Sequence, residues 1–142
     1  MKITKLMTDD VITARPDSSL YDVAQLMREH DIGFLPIIYD GRLMGVITDR
    51  DLAIRGYAEK KDENTPVKTI MTSDCVTVSK SASVNDVARV MAENQIRRVC
   101  ITDDDKLIGV CAIGDLASNE SFEAAAEFAL EGVSENRKKV KL

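Results

Sequence analysis

Two stretches of the chain carry the same apolar spacing. Leu20, Val23, Ala24 and Met27 fall at i, i+3, i+4 and i+7, and so do Val84, Val87, Ala88 and Met91. This period places one apolar stripe on each of two helices, and the stripe with its methionines reads as core. Ser19 and Ser83 stand where N-caps belong, with Asp22 and Asp86 three residues on in capping-box positions. Ahead of each helix lies a short β-favouring stretch, Val11-Ile12-Thr13 or Val76-Thr77-Val78. Behind the first helix, Phe34 to Tyr39 and Arg42 to Thr48 flank Asp40-Gly41; behind the second, Arg98 to Thr102 and Lys106 to Ala112 flank Asp103-Asp104-Asp105. Both patterns predict antiparallel hairpins. A second short helix is predicted from Asp49 to about Tyr57 and again from Ile113 to about Ser118, so the order β-α-β-β-α occurs twice.

The two copies superpose without a gap at a shift of 64 residues. Leu6-Met7-Thr8 falls on Ile70-Met71-Thr72, Asp22-Val23-Ala24 on Asp86-Val87-Ala88, and Asp51-Leu52-Ala53 on Asp115-Leu116-Ala117. Two copies are too few for a solenoid. The expected fold is therefore α/β or α+β, with two β-α-β-β-α repeats packed about a pseudo-twofold axis and a groove between them for ligands. The expected division is a first domain over residues 1–57, a linker over 58–69, a second domain over 70–118, and a C-terminal helix and basic tail over 119–142. The linker contains the charged run Glu59 to Asn64 and then Pro66, as a solvated connection does. Phe122, Ala125, Ala126, Ala129 and Val133 keep helical spacing over Ser121 to Val133, ahead of Arg137-Lys138-Lys139-Val140-Lys141-Leu142. The basic end reads as solvated terminus.

Composition narrows the function. At 142 residues the chain buries roughly 70% of its unfolded surface, enough for one domain or two small halves. A net charge of −5 and a pI near 4.9 argue against a general binder of nucleic acid backbones. No apolar run approaches the roughly 18 residues that would span a bilayer, and the opening lacks the apolar core of a signal peptide, so a cytoplasmic protein without a membrane partner is expected. Cys75, Cys100 and Cys111 are odd in number and lack a CxxC spacing; they read as small buried hydrophobes.

The chemistry concentrates at the end of each hairpin. Gly45-Val46-Ile47-Thr48-Asp49-Arg50-Asp51 brings a hydroxyl and a carboxylate to a helix start. Free N–H groups and a hydroxyl there can donate to a phosphate, and an ionised aspartate accepts from both hydroxyls of a ribose. Thr48 with Asp51 is equally a capping box. In the second copy, Gly109-Val110-Cys111-Ala112-Ile113-Gly114-Asp115 keeps the carboxylate and replaces the hydroxyl with Ala112, so the two sites are not equivalent. That copy has Arg97-Arg98 where the first has Gly33-Phe34. The two guanidinium forks suit phosphate oxygens, and they equally suit a solvated strand start.

The tandem, the element order, Phe34-Leu35-Pro36-Ile37 before an Asp-Gly hairpin, and the glycine-to-aspartate motif together resemble a pair of CBS (cystathionine β-synthase) domains, a Bateman module, over roughly residues 1 to 118. The resemblance implies a regulatory module without catalysis that binds AMP, ADP, ATP, S-adenosylmethionine or NAD between its domains. Carried onto this chain, it makes Asp51 the ribose-binding aspartate, Thr48 the phosphate-side hydroxyl, and Val46 and Ile47 the strand along the nucleoside. Met71, Val76 and Ile96 would wall the base, with Arg98 toward the phosphates. For a second site the resemblance gives Asp115 to the ribose, Arg97 to the phosphate, and Met7, Ile12 and Ile32 to the base. Ala112 departs from the usual Ser or Thr, so the Asp51 site is expected to be the better formed. The resemblance also implies a homodimer, with output passed to another, regulated protein.

Other chemistry has less to stand on. The single histidine, His30, falls at a helix C-terminus, where a cation complements the dipole. Asp103-Asp104-Asp105 suits a hairpin tip better than a metal site; no metal or catalytic residue is expected, and a magnesium ion would ride on ligand phosphates. The competing expectation is a protein-interaction scaffold with a vestigial cleft, which Ala112 favours.

Overall fold

The computed structural model describes residues 1–117 and 129–133. They form two compact units: Ile12–Cys75, here called the Asp51 unit, and Met1–Val11 with Val76 onward, the Asp115 unit. The units do not follow the sequence repeats, because each takes its opening segment from the other copy.

In the Asp51 unit, α1 (Leu20–His30) starts where Ser19 Oγ accepts the N–H of Asp22 at 3.0 Å. The next free donors of the helix are satisfied by the linker: Leu20 N–H donates to Thr65 O (3.0 Å) and Tyr21 N–H to Glu63 O (3.1 Å). The charged run of the linker is exposed, as expected, yet its end is fastened. Val67 and Ile70, on and after the 3₁₀ turn Val67–Thr69, are buried with Val23, Met27, Leu35, Ile37 and Ile47. The chain leaves α1 through Asp31 at φ 52° and enters the hairpin β1 (Phe34–Tyr39) and β2 (Arg42–Thr48). Asp40 and Gly41 both have positive φ, 52° and 78°, which matches the strand twist in a two-residue turn. Beyond β2, α2 (Asp49–Asp51) widens into a π-helical segment, Leu52–Tyr57, where one regular helix was predicted.

The expected strand at Val11–Thr13 does not form. Only Ala14 pairs, in a parallel bridge with Ile37. Further pairing is blocked on both sides of that bridge, because the ladder would next need an N–H from Pro36 to bond Ile12 and one from Pro16 to bond Ile38, and proline has none.

The Asp115 unit keeps its leading strand. Here β3 (Thr77–Ser79) runs parallel to β4 (Arg98–Asp103), which pairs antiparallel with β5 (Lys106–Ala112). Asp103 pairs with Lys106, so the turn is Asp104-Asp105 alone, at φ 52° and 67°. Between β3 and β4, α3 (Val84–Asn94) buries Val84, Val87, Ala88 and Met91; α4 (Ile113–Ala117) follows β5. Ile3, from the 3₁₀ turn Ile3–Lys5, is fully buried in this core. Residues 129–133 are helical, with Ala129 and Val133 buried here; the rest of the predicted helix Ser121 to Val133, and the basic tail, lie outside the described residues.

The capping box closes fully in α3, where Ser83 Oγ accepts Asp86 N–H (3.0 Å) and Asp86 Oδ2 accepts Ser83 N–H (3.1 Å). That N–H, with the Ser83 hydroxyl, holds the Asp86 carboxyl below the usual carboxylate range. Ser83→Ala is expected to cost about 1 kcal/mol in urea denaturation, the usual loss for a capping hydroxyl, and to raise the Asp86 pKa read by NMR titration. Neither change would occur if the cap were incidental.

Candidate functional site

Each unit ends its hairpin in the same construction. In the Asp51 unit, Ile47 is buried and Thr48 leads into α2. Asp51 N–H donates to Thr48 Oγ1 (3.1 Å) and Thr48 N–H to Asp51 Oδ2 (3.0 Å), so the capping box is made in full. This leaves Asp51 Oδ1, which faces Arg55 Nε at 3.9 Å on a side chain still 21% exposed. A carboxylate has about four acceptor positions, so the cap leaves capacity for an incoming hydroxyl pair.

The methionine of the opening segment is held against this strand by backbone. Val46 and Thr72 exchange two hydrogen bonds of 2.9 Å, which brings Met71 over Gly45. A Cβ on Gly45 would stand 2.6 Å from Thr72 O and 3.0 Å from Met71 Sδ, so only glycine allows the approach. On the other side, Asp49 N–H donates to Gly33 O (2.9 Å), and the Asp49 carboxylate occupies the place of a Gly33 side chain.

The Asp115 unit repeats the frame with different chemistry. Val110 and Thr8 exchange bonds of 2.9 Å, setting Met7 over Gly109; Ile113 N–H donates to Arg97 O at 2.9 Å. Asp115 Oδ2 accepts Ala112 N–H at 2.8 Å, half of the box, because Ala112 has no hydroxyl. Cys111 lies buried in β5 and its thiol is pushed up to about 12, first by burial and then by the Asp115 charge, so it stays protonated and inert. Cys100 is buried too, whereas Cys75 is half-buried rather than buried as expected.

The expected site residues divide between the units. Ile12, Ile32, Gly33, Val46, Ile47, Thr48, Asp51 and Met71 belong to the Asp51 unit, and Met7, Val76, Ile96, Arg97, Arg98 and Asp115 to the other. The apolar residues pack on their own unit's core: Ile12, Ile32 and Met71 on one, Met7, Val76 and Ile96 on the other. Sequence reasoning missed two participants. Arg55 Nη1 donates to Ile70 O (2.9 Å) and reaches Thr72 Oγ1 (3.4 Å), and its spacing of four from Asp51 was the available signal. Asp49 was visible only by comparing positions 33 and 49 with 97 and 113. Among the described residues no group of three or more His, Cys, Asp or Glu is placed to hold a metal ion, and no helix is long and apolar enough to cross a membrane.

Two like α+β units, each presenting a capped carboxylate at the end of a hairpin, define a paired-repeat module. The chain belongs to the CBS domain family, whose family model matches residues 3–55 and 67–121. CBS domain pairs are regulatory modules. The chain is 38% identical over 128 residues to the CBS domain-containing protein YhcV of Bacillus subtilis, covering 90% of this chain and 91% of that protein. The crystal structure of Hypoxic Response Protein I with two coordinated zinc ions matches with a TM-score of 0.76 and 36% identity, over 83% of this chain and 98% of that one. The CBS domain pair of protein MJ0100, solved in complex with 5′-methylthioadenosine and S-adenosyl-L-methionine, matches with a TM-score of 0.74 and 28% identity, over 83% and 98%.

Proposed function

We propose that this protein is a regulatory sensor of adenosine-containing small molecules, acting in the cytoplasm as a homodimer that passes the bound state to another protein. The observation that carries the reading is the carboxylate placed identically in both units. Asp51 and Asp115 are each pinned through Oδ2 to the backbone N–H three residues earlier, which fixes the group without exhausting its acceptors. A ribose diol is a matching donor pair. The complex of the MJ0100 pair with two adenosyl compounds supports this ligand class. Pairing of two chains is supported by the exposed Tyr21 and Tyr57, which with Leu20, Ala24 and Leu52 line a cavity of about 330 Å³ bordered by Lys61, Asp62 and Glu63. Regulation then follows from differential affinity: a ligand shifts the assembly toward whichever conformation binds it better.

The test is a thermal-shift panel with AMP, ADP, ATP with and without magnesium, S-adenosylmethionine, 5′-methylthioadenosine and NAD. A ligand at about 100 times its Kd stabilises by roughly 2.7 kcal/mol, a shift of several degrees. At least one compound is expected to shift the wild type, and Asp51→Ala with Asp115→Ala to abolish the shift. No shift with any compound would instead favour an interaction scaffold whose carboxylates serve only as caps.

A further inference from the structure

At one corner of the repeated frame an aspartate in one unit takes the place of an arginine in the other. Gly33 and Arg97 are equivalent, as are Asp49 and Ile113, and the same backbone bond joins each pair: Asp49 N–H to Gly33 O and Ile113 N–H to Arg97 O, both 2.9 Å. The exchange is a coupled one. A side chain at position 33 would meet the Asp49 carboxylate at 2.7 Å, so the carboxylate fills the place that the Arg97 side chain has in the other unit. Around this corner the Asp51 unit holds two carboxylates, Asp49 and Asp51, and two guanidinium groups: Arg50, whose backbone N–H donates to Asp49 Oδ1 at 2.8 Å, and Arg55, which is bound to Ile70 O and faces Asp51. The Asp115 unit has one carboxylate, Asp115, one guanidinium joined to the corner through its backbone, Arg97, and Gly114 where the other unit has Arg50.

We propose that the two units select ligands of different charge: the Asp51 unit takes uncharged or cationic adenosyl compounds and the Asp115 unit takes phosphorylated ones. This rests on the ribose-binding reading above and deepens it. The corner adjoins Thr48 or Ala112, three residues before the aspartate, and on the reading of Thr48 as the phosphate-side hydroxyl it lies toward the substituent on the ribose. A thioether or a sulfonium there meets no penalty from Asp49. A phosphate beside an exposed carboxylate is repelled, and beside Arg97 it is held by charge-assisted hydrogen bonds. The hydroxyl of Thr48 accepts from Asp51 N–H and keeps its O–H to donate, but one neutral donor is weaker than the charge-assisted bonds that Arg97 offers.

Isothermal titration in an Asp115→Ala background reads the Asp51 unit alone. With 5′-methylthioadenosine and AMP as probes, the uncharged compound is expected to bind at least about tenfold tighter, the effect of one close like charge at the surface. Asp49→Asn should close most of that gap by tightening AMP alone, and Gly33→Arg with Asp49→Ile should reverse it. The gap should also shrink as salt rises. Equal affinity for both probes, or a gap that Asp49→Asn leaves unchanged, overturns charge selection while the ribose reading stands. Binding of neither probe to the wild type overturns both.

Discussion

Leu35→Ala is expected to remove about 3 kcal/mol of stability and to lower the urea midpoint without changing the slope. Leu35 is fully buried near the start of β1, and its register partner is Ile47, also fully buried. Both belong to a cluster with Val23 and Met27 from α1 and with Val67 and Ile70 from beyond the linker. Truncation removes apolar contact and leaves a cavity bordered by three segments, none of which can collapse into it without breaking its own pairing. The loss is a large part of the 5–15 kcal/mol typical of a small protein. Amide exchange adds a finer reading: protection should fall in β1, β2 and α1. A loss below about 1 kcal/mol would mean that the cluster is loosely packed.

The segments around Leu35 show what local pattern encodes. β1 and β2 have the bounds expected from the sequence to the residue, and the turn between them follows from Asp40-Gly41, because both positions take positive φ. The helices α1 and α3 were equally legible, since an apolar stripe and a capping serine are properties of one stretch of chain. Legibility ended where the outcome depended on a distant partner. Val11–Thr13 has the propensity of a strand, yet Pro36 in the partner strand lacks the N–H that would extend the ladder to Ile12 and leaves a single bridge at Ala14. The assignment of Ile3 to one core and of Val67 and Ile70 to the other is a long-range result that no window of sequence contains.

The site divides along the same line. The box of Thr48 and Asp51 is local, and both of its hydrogen bonds were readable from a spacing of three. The tie of Arg55 to Ile70 spans fifteen residues, and the seat of Met71 on Gly45 depends on backbone pairing between Val46 and Thr72. What the repeat did offer was a comparison with itself. Aligned positions that differ, Gly33 against Arg97 and Thr48 against Ala112, mark where two copies of one frame have taken on separate chemistry.

Gly45→Ala is expected to destabilise the Asp51 unit by roughly 2 kcal/mol and to weaken adenosyl binding with it. The added methyl would stand 2.6 Å from Thr72 O, the carbonyl that accepts Val46 N–H, and 3.0 Å from Met71 Sδ. A methionine tip can swing aside, whereas a backbone carbonyl engaged in a bridge cannot move without losing the bridge. The substitution therefore forces a choice between strain in β2 and release of the segment carrying Met71, and either outcome disturbs the strand beside Asp51. Gly114→Ala is the matched control. That glycine lies in α4 with nothing within 4 Å of the added carbon, so the change should be neutral or stabilise by up to about 1 kcal/mol through helix propensity. Thermal melts of the two variants should move in opposite directions or differ by several degrees. Equal melting would show that Val46 and Thr72 separate at little cost, and the seat of Met71 would then be no fixed part of the site.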